Sequence, residues 1–435
     1  MTAERRGRAV PKGRIERTAR LAGLGAGIAG GALARVLGDM AKGERPDLAR
    51  AAFSPANARR FAGELSRLRG AALKLGQLVS MDAGALVPAE FAGAADALRA
   101  GADPMPPAQL RRVLDRRWGA GWRSRFDRFD PHPFAAASIG QVHRAVTIDG
   151  RALAIKIQYP GVKASIDSDL AGVATLARLS GALPGGFDLD PYLEEARAAL
   201  HDESDYEREA QSVSRFAAAL GPDPDFVVPG VDERFSGPET LALDLLPGAG
   251  IETAAEQDGA ERERVFLALA DLTLRELFDF RLMQTDPNYA NFLYAGPDAP
   301  IGLIDFGAVR DLPSDLSDAY RALLRSGLAA DRAGLETALD TLGFLPEDAA
   351  PRHREAALAL AEHGFSAVRA GAFDFSDTGF LEDLRDAGFT LQRDGFTPAP
   401  RPQTLFVNRK IAGLYLLGAK LRVRAAMRER LKAWV

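Results

Sequence analysis

Gln284-Thr285-Asp286-Pro287-Asn288-Tyr289-Ala290-Asn291 and Ile304-Asp305-Phe306-Gly307 are the two stretches that decide the fold of this chain. They set three side chains able to hold a divalent cation or a phosphate in a fixed order: Asp286, then Asn291, then Asp305. The run Ile301-Gly302-Leu303-Ile304 reads as a short buried strand, so Asp305 at its end projects into a cleft. Taken alone, Asp305-Phe306-Gly307 reads more simply as a strand end followed by a glycine turn. Its spacing from Asp286 and Asn291 is what gives it chemistry.

The second half of a nucleotide site lies upstream. In Ala152-Leu153-Ala154-Ile155-Lys156-Ile157-Gln158, alternation buries Leu153 and Ile155 on one face and turns Lys156 into the cleft with Ala154. By itself such a lysine is a snorkelling edge residue. A strand lysine, an Asp-x4-Asn string and an Asp-Phe-Gly string follow one another in protein kinases. There the lysine meets the α and β phosphates, the first Asp serves the catalytic loop, and the Asn and the second Asp hold metal ions. Phe134-Ala135-Ala136-Ala137-Ser138-Ile139-Gly140-Gln141-Val142-His143 stands where kinases carry a glycine-rich loop, with Gly140 as its one glycine. Without further glycines the loop is stiffer and its amides approach phosphates differently, which argues against an ordinary protein kinase.

A kinase lysine needs a carboxylate on a helix. The segment Leu200-His201-Asp202-Glu203-Ser204-Asp205-Tyr206-Glu207-Arg208-Glu209-Ala210 offers several, on a helix expected from about 191 to 216. Glu203 and Glu209 do not share one helical face, so only one of them meets Lys156. The pattern leaves open which, and an acidic face is also simply a solvated one.

Six strings in order now point to a family: Lys74-Leu75-Gly76-Gln77, the alanine-rich loop, Ala154-Ile155-Lys156-Ile157-Gln158-Tyr159-Pro160-Gly161, Glu203-x-Asp205-Tyr206-x-x-Glu209-Ala210, Gln284-Thr285-Asp286-Pro287-Asn288, and Asp305-Phe306-Gly307. Together the chain resembles the UbiB family of atypical kinase-like ATPases, from about residue 60 to its end. It resembles most the mitochondrial branch that supports coenzyme Q biosynthesis. The resemblance implies an α+β, bilobal protein-kinase-like fold with a family-specific N-terminal helical extension. It also implies ATP and Mg2+ as cofactors. Lys156 would contact phosphates and pair with Glu203, with Glu209 the less favoured partner. Asp286 takes the catalytic-loop position, and Asn291 and Asp305 hold Mg2+. Ala135, Ala136, Ala137, Ser138, Gly140 and Gln141 form the nucleotide loop. Lys74, Gly76 and Gln77 belong to a family-specific helix over the place where a kinase receives its protein substrate, and Lys74 and Gln77 share one face by their spacing. Left to pattern alone, Lys74 is an exposed cation on a hydrophobic helix.

Composition sets wider bounds. The chain has 435 residues, 47% hydrophobic and 26% charged, enough to bury two cores. It has no cysteine, which excludes disulfides, thiolate catalysis and cysteine-ligated metal. Its five histidines, 132, 143, 201, 353 and 363, form no ligand cluster, and a net charge of -4 makes no case for nucleic acid.

The N-terminus differs from the rest. Arg5, Arg6, Arg8, Lys12, Arg14, Arg17 and Arg20 precede the uncharged run Leu21–Ala34. That run is short of the roughly 20 residues of a membrane span and glycine-heavy for a signal peptide. It reads as a small-residue helix at a membrane surface, or else as a loose tail. The expected divisions are a basic, glycine-rich tail over 1–45, a helical extension over 46–127, a kinase-like N-lobe over 128–250 and a mainly helical C-lobe over 251–435. Within these, 59–79 and 109–118 read as helices, and Thr240–Leu246 reads as the hinge strand beside the adenine. A long helix spans 261–280, and a glycine- and phenylalanine-containing loop lies near 371–380.

Three functions fit. The first is a Mg2+-dependent ATPase, peripheral at the cytoplasmic side of an inner membrane, with anionic lipid and ubiquinone-biosynthesis enzymes or lipid intermediates as partners. The second is a phosphotransferase acting on a protein or small molecule, and the third a nucleotide-binding scaffold without turnover.

Overall fold

The computed structural model describes residues 70, 71, 74, 75, 104–137, 139–180, 189–286, 288–396, 398 and 400–435. The basic tail, Leu21–Ala34, Gly76, Gln77 and Ser138 lie outside them. The described chain groups into two compact units. One holds the described residues up to Gln211 with Gly230–Leu245, and the other holds Ser212–Pro229 with Leu246–Val435.

The first unit opens with helix α1 (Pro107–Trp118), whose proline at the first turn is pre-set for helix entry. Gln109, Leu110, Val113 and Leu114 form its buried stripe, and Arg116 and Arg117 sit at the negative end of its dipole. Strands β1 (Phe126–Phe129), β2 (Ala135–Ala136), β3 (Gly140–Thr147) and β4 (Ala152–Gln158) follow, then helices α2 (Val162–Ser180), α3 (Asp190–Glu203) and α4 (Tyr206–Leu220), the last of which belongs to the second unit from Ser212 on. After β5 (Phe226–Val227), which belongs to the second unit, β6 (Thr240–Asp244) completes an antiparallel sheet in the order β1-β3-β4-β6, with β2 on β3.

The expected alternation along β4 is present: Leu153, Ile155 and Ile157 are fully buried, while Ala154 and Lys156 are half-buried. Those three side chains share a core with Leu114, Trp122, Phe126 and Phe129. The Trp122, Phe126 and Phe129 rings meet edge-to-face at 4.9 to 6.0 Å. Each such side chain contributes roughly 1.5–3 kcal/mol of burial free energy. The β3–β4 hairpin turns through Thr147–Gly150, where Gly150 has φ 84 and Ile148 at the tip is 72% exposed. Gly140 answers a different need, because a Cβ there would stand 2.5 Å from the Ile157 carbonyl oxygen on β4.

The single helix expected over 191–216 is instead two, α3 and α4, parted at Ser204-Asp205. The cause is capping chemistry. The Asp205 carboxylate accepts the Arg208 N–H at 3.0 Å, an N-cap that starts α4 afresh. The Ser204 carbonyl accepts from the side-chain amide of Gln158 at 2.8 Å, so β4 pins the break.

The second unit carries β7 (Ala249–Gly250) and then α5 (Gly259–Arg275), whose N-cap Asp258 accepts the Glu261 N–H at 2.9 Å. The helix expected to run to Phe280 changes character first, because Glu276–Phe280 form a wider π-helical turn ending at Arg281 in the left-handed region. Strands β8 (Leu282–Gln284), β9 (Phe292–Tyr294), β10 (Ile301–Leu303) and β11 (Val309–Asp311) come next. They build a sheet in the order β5-β10-β9-β7 and a separate β8-β11 pair. Helices α6 (Ser314–Ala329), α7 (Arg332–Leu342) and α8 (Pro351–Arg369), strand β12 (Ala372–Asp374), helices α9 (Thr378–Arg393) and α10 (Pro402–Leu421), strand β13 (Arg424–Ala426) and helix α11 (Met427–Lys432) finish the chain. The expected loop near 371–380 contains β12, which pairs antiparallel with β13. Phe373 and Phe375 on and beside β12 pack on Tyr415 of α10 at 6.0 and 5.6 Å, giving the segment an anchor that short-range pattern does not reveal. Among the described residues no helix is long and apolar enough to cross a membrane.

Candidate active site

The first unit sets Lys156 in the middle of the sheet, opposite Val142 on β3 and Leu241 on β6. Its ammonium lies 2.5 Å from Glu209 Oε1, with the two side chains only 14% and 4% exposed. Lys74 pairs with Glu203 at the same distance. The preferred partner for Lys156, Glu203, is thereby corrected to Glu209. The reason is the break at Ser204-Asp205, which puts Glu203 in the last turn of α3 and Glu209 in the first turn of α4, on two separately directed helices. Both carboxylates thus meet a lysine, one each.

Ala135 and Ala136 are exposed and pair with Val142 and Gln141 of β3, so the alanine-rich segment begins as a strand of the sheet. Gln141 does not offer its side chain to a ligand, which corrects its expected place in the nucleotide loop. Strand alternation turns it to the face opposite Val142, where its Oε1 accepts the Met105 N–H at 2.7 Å and its Nε2 meets His143 Nε2 at 2.7 Å. His143 Nδ1 lies 2.8 Å from the Asp130 carbonyl oxygen, which can only accept, so Nδ1 carries the proton and Nε2 accepts from Gln141. Burial holds the imidazole below its ordinary pKa, consistent with this neutral form. Every polar group of the chain Met105–Gln141–His143–Asp130 is matched, and it joins the lead-in to α1 with the sheet.

In the second unit two antiparallel strand pairs hold the metal-competent strings in place. On β9 and β10, Phe292 faces Leu303, and the Ile304 N–H donates to the Asn291 carbonyl at 3.1 Å, so Asn291 and Asp305 stand at neighbouring positions. On β8 and β11, Gln284 faces Val309, and the Thr285 N–H and hydroxyl both donate to the Ala308 carbonyl, at 3.0 and 2.7 Å. Asp286 follows at once. Its carboxylate accepts the Asn288 N–H at 3.2 Å, and that of Asp305 accepts the Gly307 N–H at 3.0 Å, each a tight turn that orients an acid. The Gln284 side-chain amide donates to the Asp305 carbonyl, tying the two strings directly.

The donor set suits Mg2+. Asp286, Asn291 and Asp305 supply hard oxygens, and Mg2+ takes one or two carboxylates together with substrate phosphates and water. Asn291 is 6% exposed, yet its Nδ2 has no protein partner among the described residues, so its amide is not spent on the fold. No cluster of three His, Cys, Asp or Glu able to hold a metal alone occurs among the described residues.

The ABC1 atypical kinase-like domain matches residues 97–339, more than half of the chain. The chain belongs to the ABC1, or UbiB, family of atypical kinases. It is 37% identical over 432 residues to the mitochondrial atypical kinase COQ8B of Danio rerio, covering 97% of this chain and 68% of that protein. It is 35% identical over 416 residues to the mitochondrial atypical kinase COQ8 of Saccharomyces cerevisiae, covering 95% and 83%. Among solved structures, Rv3197 of Mycobacterium tuberculosis, determined with erythromycin, superposes with TM-score 0.62 at 27% identity and covers 87% of this chain and 95% of that one. The chain is accordingly an atypical kinase-like enzyme with the kinase-like α+β fold. Three features of this ABC1-family chain escaped the reading of the sequence: the Gln158 pin, the Gln141–His143 chain, and a buried Lys410–Glu276 pair behind the metal-competent strings. The first two lie inside quoted strings, so strand alternation could have flagged them. Nothing local marks the third.

Proposed function

We propose that this ABC1-family chain is a Mg2+-dependent ATPase that supports coenzyme Q biosynthesis at a membrane surface. The observation that carries the ATPase part is the Lys156–Glu209 pair, because a half-buried cation fixed by one carboxylate is the phosphate-binding device of kinase-like enzymes. In this reading Lys156 neutralises the nucleotide phosphates, Asn291 and Asp305 hold Mg2+, and Asp286 orients the attacking water and accepts its proton. Bound Mg2+ supplies charge neutralisation on the phosphates. The coenzyme Q part rests on the likeness to COQ8 proteins. The alanine-rich segment supports hydrolysis over transfer to a protein, since it lacks the several glycines of a protein-kinase loop.

Release of free phosphate from ATP, with and without Mg2+ and anionic vesicles, tests the reading. Hydrolysis is expected to require Mg2+ and to be lost in Asp286→Asn with nucleotide binding retained. A scaffold would be indifferent to that change, and a phosphotransferase would put phosphate on an acceptor instead. Lys156→Ala is expected to weaken Mg-ADP binding by about 1.5–3 kcal/mol, the worth of a charge-assisted contact. Unchanged affinity by calorimetry would remove Lys156 from the site.

The membrane part rests on the basic tail, whose arginines contribute roughly 1 kcal/mol each against anionic head groups. Deleting residues 1–40 is expected to release the protein from anionic vesicles in a flotation assay, and added salt to weaken the intact chain. Equal flotation of the truncated protein would place the membrane-binding surface elsewhere.

A further inference from the structure

Lys410 lies in the middle of α10 and is 6% exposed. Its ammonium sits 3.1 and 3.3 Å from the two carboxylate oxygens of Glu276, which is fully buried at the start of the π-helical turn. It also donates to the backbone carbonyl of Gln284 at 3.0 Å and stands 5.6 Å over the Phe292 ring. One cation therefore touches residues on both sides of the Asp286–Asn291 loop. The side chain of Gln284 extends the link to the Asp305 carbonyl. Ten residues further along α10, Lys420 stands 5.5 Å over the ring of Tyr289, inside that loop.

A buried ion pair is weak evidence for stability, since apolar residues of equal volume hold two helices together as well or better. What an apolar pair cannot do is donate a hydrogen bond to the Gln284 carbonyl. The π-helical turn has the same sense: it opens on the buried Glu276 and is a distortion common at functional sites. Both features stabilise nothing that a plainer core would lack, except the placement of two loops.

We propose that Lys410 and Glu276 are positioning residues that set the Asp286–Asn291 loop and, through Gln284, Asp305 at the spacing a metal ion requires. The proposal rests on the roles proposed above for Asp286, Asn291 and Asp305. Partners behind metal-holding side chains are the usual means by which a fold orients them.

The test uses the full chain as wild type, the double variant Lys410→Met with Glu276→Gln, and Gln284→Met. The double variant removes both charges at nearly constant volume and leaves no lone buried charge, while Gln284→Met keeps the backbone carbonyl and cuts only the link to Asp305. Two readouts are taken: the Mg2+ concentration that half-saturates the strengthening of ADP binding, and amide hydrogen exchange across 285–308. In the double variant the Mg2+ requirement is expected to rise about ten- to a hundredfold, with metal-free ADP binding unchanged. Exchange across 285–308 rises while α5 and α10 keep their protection. Gln284→Met is expected to raise the Mg2+ requirement without disturbing exchange in α10. A folded double variant with wild-type Mg2+ half-saturation overturns the proposal, because a merely structural pair would leave that quantity alone. Should the wild type show no Mg2+-strengthened ADP binding, the roles of the three metal-competent residues fall, and exchange across 285–308 alone then decides whether Lys410 positions the loop.

Discussion

Asp305→Asn is expected to lower the proposed Mg2+-dependent ATP hydrolysis roughly 10²–10³-fold, the range for removing one preorganised electrostatic group from an active site, and to leave the fold intact. The carboxylate stands at the end of β10 and accepts the Gly307 N–H at 3.0 Å. An asparagine oxygen accepts the same bond, so the turn survives. The amide oxygen carries only a partial charge, however, and Mg2+ prefers hard anionic oxygen. Phosphate release measured against Mg2+ concentration, beside a thermal melt, checks both halves. An Asp305→Asn protein that hydrolyses ATP with a normal Mg2+ requirement contradicts the role.

Lys410→Met alone is expected to cost about 3–5 kcal/mol of stability, because it strands a buried carboxylate without its partner. Glu276 is already held above the ordinary carboxylate range by burial, with Lys410 pulling the other way. Removing Lys410 takes away that opposing pull and raises Glu276 further. A carboxyl whose folded-state pKa lies above its unfolded value contributes stability below the unfolded pKa and loses it as pH rises through the folded one. The variant is therefore expected to unfold at lower urea at pH 8 than at pH 5, by a wider margin than the wild type. Equal urea midpoints for variant and wild type at both pH values would show that Glu276 is not buried as a charge.

How far the sequence could be read depended on the range of the interaction. Lys156 was legible because strand alternation is local: Leu153 and Ile155 turn inward, and Lys156, next after Ile155, turns the other way with Ala154. The Asp286, Asn291 and Asp305 spacing was legible because the strings that carry it are short and local: Asn291 and Asp305 flank the β9–β10 hairpin, and Asp286 lies close before it in the chain. The partner of Lys156 was not. Glu203 and Glu209 looked like one helix, and the cap at Asp205 that divides them gave no break in helical periodicity. Gln141 was misplaced because its motif says loop, whereas its pairing with Ala136 makes it a strand residue facing inward. Lys410 was beyond reach: it is one of two adjacent cations in a largely apolar stretch, and its carboxylate partner stands far earlier in the chain. The strand β12 failed to show for the same reason, since it exists by pairing with β13 near the end of the chain.

The turn between β3 and β4 has a practical use. Ile148 stands at its tip, exposed, on a chain that contains no cysteine at all. Ile148→Cys would give the molecule a single addressable thiol, with no background to remove first. Along β4 that position lies about 20 Å from Lys156, at roughly 3.3 Å per strand residue. A fluorophore or spin label attached there rides on a hairpin whose other end carries Lys156, the lysine proposed to meet the phosphates. The result is a reporter for motions of the first unit that leaves its chemistry untouched.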